Sequence, residues 1–347
     1  MWASKTLVAV VFAATLAAAV GQVLSAQKSP TLASDAACKT LTPVSVGGPA
    51  PTNPNVVAIR WLGHTNYEIA YRSEVVLTDG WYDRGPGTHA IGVAPKDFKR
   101  ADAILVGHAH FDHIADVPQI AKQTKALVVG APVSTDYVKT QAIPDNQIRT
   151  VTGKGGEIIE MKGIVVKPML AHHNIIATMV PEGYLQKAQA AMAKASLDKP
   201  PTPDEQKQID MMREHGSRDP KIADEGTMGF LLSVGSSNFR IMVVDSPGPI
   251  TDYERQAMQG VPGVDVAMFS LVNMEAGMPP LLDLVKFFKP STVFIGHHDG
   301  AGTMHWASIF PAAMAIRDAL PKTRTLEVPY RTPVCFDTTT KEMFVGQ

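Results

Sequence analysis

The sequence lacks a strong excess of charge of either sign. Its 347 residues include 32 Lys and Arg against 33 Asp and Glu, for a formal net charge of −1, and the basic residues form no long run. Proteins that bind nucleic acids or acidic membranes present dense positive surfaces, so neither is expected as a partner. No segment recurs at a fixed period, which excludes solenoid and propeller architectures. With 45% hydrophobic residues, the chain is expected to fold around a sizeable core.

Cysteine is equally scarce. The only two are Cys38 and Cys335, near opposite ends of the chain. They could pair in an exported protein, because disulfides persist in oxidising compartments. Their spacing alone leaves a disulfide and two free thiols equally open.

Residues 1–26 have the three-part layout of a secretory signal peptide. Lys5 precedes an apolar run from Leu7 to Val20, and residues 21–26, Gly-Gln-Val-Leu-Ser-Ala, carry small residues where a signal peptidase would cut. The run is short for a membrane anchor, since a spanning helix needs about 20 apolar residues. We therefore expect cleavage, a periplasmic or secreted protein, and no stable membrane association after cleavage.

The rest of the chain divides into two parts, the second of which contains an insertion. Residues 27–55 are rich in Pro, Ser, Thr, Ala and Gly without periodicity, and are predicted to form an N-terminal arm. Residues 56–347 alternate short apolar strands with helices, which predicts an α/β layered fold. Within them, 181–225 resembles a helical insertion, either a lid over a pocket or a surface that packs against a neighbouring subunit in a homo-oligomer.

The predicted elements follow from apolar periodicity and turn residues. The predicted strands are 56–62, 67–71, 75–78, 101–106, 126–130, 148–152, 157–161, 164–170, 228–234, 239–244, 264–269, 292–295, 325–328 and 334–337. The predicted helices are 114–124, 184–196, 202–215, 251–259, 280–288 and 306–319.

Four side chains that can bind a metal ion directly follow the buried strand at 101–106. They are His108, His110, Asp112 and His113, in a segment that reads His-Ala-His-Phe-Asp-His. The first two imidazoles can face one ion, and the last two side chains a second. Imidazole nitrogen and carboxylate oxygen suit zinc. Only 11 residues of the chain are His, so a polar loop with chance histidines explains the segment poorly.

This segment resembles the His-x-His-x-Asp-His signature of the metallo-β-lactamase superfamily. Residues 61–64, Trp-Leu-Gly-His, resemble the opening of one branch, which includes ascorbate-phosphate-lactonase-like and N-acyl-phosphatidylethanolamine phospholipase D-like proteins. The resemblance covers about residues 56–345. It implies an α/β fold, specifically a four-layer αβ/βα sandwich, here with a helical insertion.

The resemblance also implies the remaining metal ligands, each after an apolar strand. The third histidine of the first metal would be His173 or His172, with His173 closer to the family spacing. Asp245 would bridge the two ions, although Asp-Ser-Pro-Gly by itself indicates a turn. The histidine of the second metal would be His297 rather than its neighbour His298.

Two further residues would lie just behind these ligands. Asp79 matches an early aspartate of the family, and a turn residue before Gly80 is an equally good explanation. His64 belongs to the Trp-Leu-Gly-His segment, and is either close to the site or a histidine of the core.

The resemblance implies a hydrolase with two divalent cations, Zn²⁺ first and Mn²⁺ or Fe²⁺ as alternatives. A shared hydroxide, formed because metal binding lowers the pKa of water to about 7, would attack an ester, lactone, amide or phosphodiester of a small-molecule substrate. Asp112 would orient that hydroxide as the catalytic residue. The alternatives are a mononuclear iron oxygenase of the persulfide dioxygenase type and a non-enzymatic metal-binding protein. The complete ligand set of the second metal favours the hydrolase.

Overall fold

The computed structural model describes residues 30–84, 89–173, 203, 225–271, 274–299 and 308–346. The predicted signal peptide lies outside these ranges. So do almost all of the predicted insertion at 181–225, with its two predicted helices, and the start of the predicted helix 306–319. Within the described ranges, no helix combines the length and the apolar character needed to cross a membrane.

Short strands and helices alternate along the described chain. The strands are β1 (Val56–Trp61), β2 (Tyr67–Tyr71), β3 (Glu74–Thr78), β4 (Ala103–Leu105), β5 (Leu127–Gly130), β6 (Ile148–Thr150), β7 (Ile159–Glu160), β8 (Ile164–Leu170), β9 (Met228–Val234), β10 (Phe239–Val244), β11 (Val266–Ser270), β12 (Thr292–Gly296), β13 (Arg324–Leu326), β14 (Pro333–Asp337) and β15 (Met343–Val345). The helices are α1 (Pro30–Ser34), α2 (Phe111–Ile114), α3 (Val117–Thr124), α4 (Pro132–Thr140), α5 (Asp252–Ala257), α6 (Met274–Phe288) and α7 (Phe310–Ala319).

The strands form two mixed sheets. Sheet 1 has the order β15-β14-β1-β2-β3-β4-β5-β6, and sheet 2 has the order β13-β12-β11-β10-β9-β8-β7. Pairing is parallel from β3 to β6 and from β10 to β13, and antiparallel elsewhere. Each parallel region places the ends of neighbouring strands at the same edge of its sheet, where loops are free to carry functional side chains.

The two sheets pack face to face, with helices on both outer faces. One core cluster joins the inner faces, for example Ile59 of β1 and Ile241 of β10. A second packs α3 and α4 on sheet 1, and a third packs α5, α6 and α7 on sheet 2. Neighbouring β10 residues alternate between clusters, as the strand period of two requires: Ile241 faces the other sheet and Met242 faces the helices. The chain is thus an α/β four-layer sandwich, as predicted.

Several predicted elements match the observed ones residue for residue, including β2, β8, β9 and β10. The predicted helix 114–124 was wrong in its start: α2 begins at Phe111, inside the histidine-rich segment, and α3 follows as a separate helix. Three elements had no counterpart in the prediction: the short helix α1 in the N-terminal arm, helix α4 and strand β15. Helix α4 reads PVSTDYVKT, which is weak in helix formers, and is held by packing on β5. Strand β15 is only three residues long.

The predicted N-terminal arm is ordered from Pro30 onward. Leu32 and Cys38 are fully buried in a small cluster against β1 and β14, and Cys38 forms a disulfide with Cys335, a residue of β14. The choice that the sequence left open between paired and free thiols is therefore settled as a disulfide. Irregular composition predicted the absence of long elements correctly, but it gave no sign of this burial.

Candidate metal centre

Loops at the ends of five strands and one hairpin turn bring the candidate ligands together. Asp79 follows β3, the histidine-rich segment follows β4, His173 follows β8, Asp245 follows β10 and His297 follows β12. His64 lies in the turn between β1 and β2. Three of these residues, His64, Asp79 and His297, have positive φ angles of 52°, 52° and 65°. Non-glycine residues rarely adopt this conformation, and it recurs at functional sites.

Three imidazoles form the first cluster. His108 Nε2 lies 2.9 Å from His110 Nδ1 and 3.2 Å from His173 Nε2. In a tetrahedral zinc site with Zn–N bonds of about 2.0–2.1 Å, ligand nitrogens lie about 3.3 Å apart. Burial, with His108 and His173 nearby, lowers the pKa of His110 to about 2, so its lone pair is free to bind a cation. The cluster therefore fits a divalent metal ion.

The second cluster surrounds the carboxylate of Asp112. His64 Nε2 and His297 Nε2 lie 3.3 and 3.5 Å from Asp112 Oδ2, and His113 Nε2 lies 3.8 Å from Asp112 Oδ1. One ligand atom from each of these four residues falls within a span of 4.8 Å. Burial alone would raise the pKa of Asp112, but the surrounding imidazoles hold it well below its usual value. The group therefore offers an ionised carboxylate and three imidazoles.

Two carboxylates hold the imidazoles from behind. Asp245 Oδ2 lies 2.7 Å from His108 Nδ1 and 3.0 Å from His113 Nδ1, and Asp79 Oδ2 lies 2.9 Å from His113 Nδ1. A proton held on Nδ1 by a carboxylate leaves the Nε2 lone pair for a metal ion. The approach of Asp245 requires Gly107, because a Cβ there would lie 1.9 Å from Oδ2.

Positive charge is stabilised at the His113 ring. Burial lowers the pKa of His113, but Asp112, Asp79 and Asp245 together raise it well above its usual value. Burial also raises the pKa of Asp79, while His113 and the Thr65 hydroxyl, 2.6 Å from Asp79 Oδ2, lower it. The same carboxylates that stabilise a proton on this ring stabilise a metal cation bound to it.

The doubled histidines are separated clearly. His173 contacts the first cluster, whereas its neighbour His172 is exposed. His297 contacts the second cluster, whereas His298 stacks on Trp61 with ring centroids 4.9 Å apart. The structure thus leaves His172 outside the centre. It brings eight of the predicted residues together there: His64, His108, His110, Asp112, His113, His173, Asp245 and His297. Asp79 supports them.

The carboxylate of Asp245 does not lie simply between the two clusters, as a bridging ligand would. Its Oδ2 atom lies on the Nδ1 side of His108 and His113, and its Oδ1 atom is buried without a hydrogen-bond partner among the described residues. A bridging role for this aspartate stays a prediction.

Two supporting residues were not predicted from the sequence. Thr65 donates to Asp79 and lies 3.0 Å from His113 Nδ1. Asp299 accepts the backbone N–H of His64 and a 2.6 Å hydrogen bond from Arg84. Both are direct neighbours of candidate site segments, Thr65 after His64 and Asp299 after the doubled histidines, and that adjacency is the signal that could have found them.

Comparison with known proteins finds relatives over part of the chain. A model of the Beta-lactamase superfamily domain matches residues 74–184. A metal-dependent hydrolase of Roseiflexus castenholzii is 32% identical over 123 residues, 33% of this chain and 47% of that protein. One from Pyrococcus furiosus is 40% identical over 83 residues, 24% of this chain and 35% of that protein. The matched region thus spans about half or less of these relatives.

A solved structure supports the fold over most of the chain. Igni18, a metallo hydrolase from the archaeon Ignicoccus hospitalis, superposes with a TM-score of 0.54 at 16% identity, covering 81% of this chain and 98% of that one. At this identity the likeness shows the fold alone. The family match is thus confined to residues 74–184, and the likeness in fold extends over most of the chain.

Proposed function

We propose that this chain is a metal-dependent hydrolase that holds two divalent cations, with Zn²⁺ as the first choice. The observation that carries the proposal is the convergence of His108, His110 and His173 nitrogens at 2.9 and 3.2 Å. Imidazole nitrogens at these distances, with the pKa of His110 at about 2, gain little from each other and much from a shared cation. The relatives named metal-dependent hydrolases support the same class.

The two clusters divide the ligands between two cations. His108, His110 and His173 would hold the first, and Asp112, His113 and His297 would hold the second. Asp245, whose Oδ2 atom lies 2.7 and 3.0 Å from the Nδ1 atoms of His108 and His113, would bridge the cations or orient these two rings. When bound, such cations lower the pKa of water and stabilise negative charge that develops on a substrate oxygen.

The protein's own residues position this chemistry. Asp245 and Asp79 hold the Nδ1 atoms of His108 and His113 and so fix both rings. Asp112, kept ionised by the imidazoles around it, is available to accept a proton from the attacking water. We propose it as the catalytic residue.

The substrate would be a small molecule with an ester, lactone, amide or phosphodiester bond. The test compares zinc-loaded with chelated protein over panels of these four bond types, with β-lactams among the amides. We expect hydrolysis of at least one class that chelation abolishes and added zinc restores. Hydrolysis that survives complete removal of metal, or a zinc-loaded protein inactive on all four classes, would contradict the proposal.

We also propose that the protein is exported and loses residues 1–26 on the way. The apolar run from Leu7 to Val20 supports this, and so does the Cys38–Cys335 disulfide, because disulfides persist mainly in oxidising compartments. N-terminal sequencing of the periplasmic or secreted fraction should find a start near residue 27. An intact Met1 in that fraction would refute cleavage.

A further inference from the structure

His64 uses all of its backbone polar groups in contacts within the chain. Its N–H faces both carboxylate oxygens of Asp299, at 3.0 and 3.1 Å. Its carbonyl oxygen accepts hydrogen bonds from the Trp61 indole at 2.8 Å and from the His297 N–H at 2.9 Å. Asp299 is itself held by Arg84. The turn that carries His64 is therefore fixed in its left-handed conformation from both sides.

The imidazole ring of His64, unlike its backbone, has few polar contacts within the chain. It is 0% exposed, its Nδ1 atom has no hydrogen-bond partner among the described residues, and its Nε2 atom faces the carboxylate of Asp112. Buried polar side chains almost always have a partner, either in the protein, in ordered water or in a bound ion. The ring is aimed at the second cluster, with Nε2 3.3 Å from Asp112 Oδ2 and its centroid 3.8 Å from that of His297.

We infer that His64 is a direct ligand of the second cation, alongside Asp112, His113 and His297. This inference rests on the proposed function, since it needs a cation at that cluster. Four ligand atoms within 4.8 Å of one another match the ligand number of a tetrahedral zinc site. The strained turn and the close approach of Gly296, where a Cβ would lie 2.3 Å from the His64 carbonyl oxygen, serve to place His64 beside His297.

The inference gives the two cations different roles. Four protein ligands close a tetrahedral zinc site, whereas catalytic zinc sites keep three protein ligands and one open position. Among the described residues, the first cluster offers three imidazoles. The open position for water and substrate would therefore belong to the first cation, and the second would orient Asp112 and act as a fixed positive charge.

Two substitutions test the inference without straining the turn. Asn and Gly both tolerate a positive φ, so His64→Asn and His64→Gly keep the backbone and remove the ring nitrogen. His172→Gly, at an exposed histidine beside the first cluster, is the matched control. The measurement is zinc binding by equilibrium dialysis and elemental analysis, with no substrate involved.

We expect two zinc ions per chain in the wild type and in His172→Gly. Loss of a residue that merely orients a ligand costs about 10–100-fold in metal affinity. Both His64 variants should therefore bind the second ion more than about 100-fold more weakly and the first ion unchanged. Added imidazole, which fills the space left in His64→Gly, should restore binding of the second ion.

A measurement on the wild-type protein covers the case in which the variants do not fold. Histidine ¹⁵N NMR during zinc titration should move the His64 ring nitrogen to a metal-bound shift with the second equivalent. A His64 resonance that does not respond, or His64 variants that bind two ions with wild-type affinity, would overturn the inference. A wild type that binds two ions but hydrolyses nothing overturns the proposed function alone, and one that binds no zinc overturns both.

Discussion

The β1–β2 hairpin carries two groups of buried polar residues that are stabilised in opposite ways. In the strands, Arg60 and Glu68 face each other across the pair and are both 0% exposed, with a 2.9 Å ion pair. Glu68 also accepts the backbone N–H groups of Val44 and Ser45, and Arg60 donates to the carbonyl of Ala37 in the arm. Nearly every charge-bearing atom of this pair finds its partner within the chain; only Arg60 Nε has none among the described residues.

Four residues after Arg60, the turn presents the buried His64 ring, whose Nδ1 atom has no partner within the described part of the chain and whose Nε2 atom faces Asp112 in the second cluster. The hairpin thus holds the N-terminal arm through its strands and, by our proposal, binds a cation through its turn. Burying a polar group without a partner is costly, so the first group stabilises the fold by itself, whereas the second depends on a bound metal ion for a partner at Nε2. Substitutions at the two ends should therefore separate stability from activity.

The largest expected effect is the loss of hydrolysis when a ligand of the first cation is removed. His108→Ala removes a nitrogen central to the first cluster, at 2.9 Å from His110 and 3.2 Å from His173. Because metal cations supply several kcal/mol of transition-state stabilisation, hydrolysis should fall by at least about 1,000-fold. His172→Ala, next to His173 but exposed, should keep full activity. Zinc content and kcat/KM on the substrate found in the panel check both, and an active His108→Ala protein with one zinc fewer would show that the first cation is not catalytic.

Whether a feature of the metal centre could be predicted from the sequence depends on how far apart in the chain the contacting residues lie. The segment around His108 and the strands that lead to Asp245 and His297 are local patterns, so order and spacing along the sequence were enough. The choice between His172 and His173 needed the structure, because neighbouring residues after an extended strand point to opposite sides.

Long-range contacts left no local signal. The hydrogen bonds from His64 to Asp299 join residues 235 apart in sequence, and those between the arm and Glu68 join residues 23 and 24 apart. The arm reads as irregular because its burial comes from an ion pair and a disulfide rather than from an apolar period. Such contacts depend on how the sheet folds back on itself, which no single segment encodes.

The second largest effect is a loss of stability when the buried ion pair in the strands of the hairpin is broken. Arg60→Met leaves the Glu68 carboxylate buried without its charge partner, and breaking a buried pair in this way costs about 3–5 kcal/mol. Urea unfolding should show this loss in the free energy of unfolding, with zinc content per folded chain unchanged. Arg60→Met/Glu68→Gln is the matched control, since it removes both charges and keeps an oxygen that can accept from the arm. It should be less destabilised than the single variant, and equal losses would mean that the ion pair contributes little.

A third buried group, Glu254, has a satisfied hydrogen bond, but burial disfavours its charge. Its substitution should have the smallest effect, a change in stability that depends on pH. Glu254 is 1% exposed and accepts the Thr251 N–H in the capping box of α5, so its hydrogen bond is satisfied by the chain. Its charge is not, because burial raises its pKa from 4.5 to about 7 despite the opposing effect of Thr251. A carboxyl with a raised folded-state pKa favours the folded state while protonated and loses that advantage as the pH rises.

The pH dependence of stability follows from that shift. Below about pH 4.5 the carboxyl is protonated in both the folded and the unfolded chain, so its ionisation contributes no penalty. Between about pH 4.5 and 7 the unfolded chain ionises first, and by about pH 8 the folded protein has lost at most about 3 kcal/mol. Glu254→Gln keeps an oxygen for the Thr251 N–H and carries no charge. We expect unfolding measurements to find it equal to wild type at pH 4 and more stable by about 1–3 kcal/mol at pH 8. A difference that is the same at both pH values would show that Glu254 has the same pKa in the folded and the unfolded chain, and that its capping hydrogen bond offsets the cost of burying the charge.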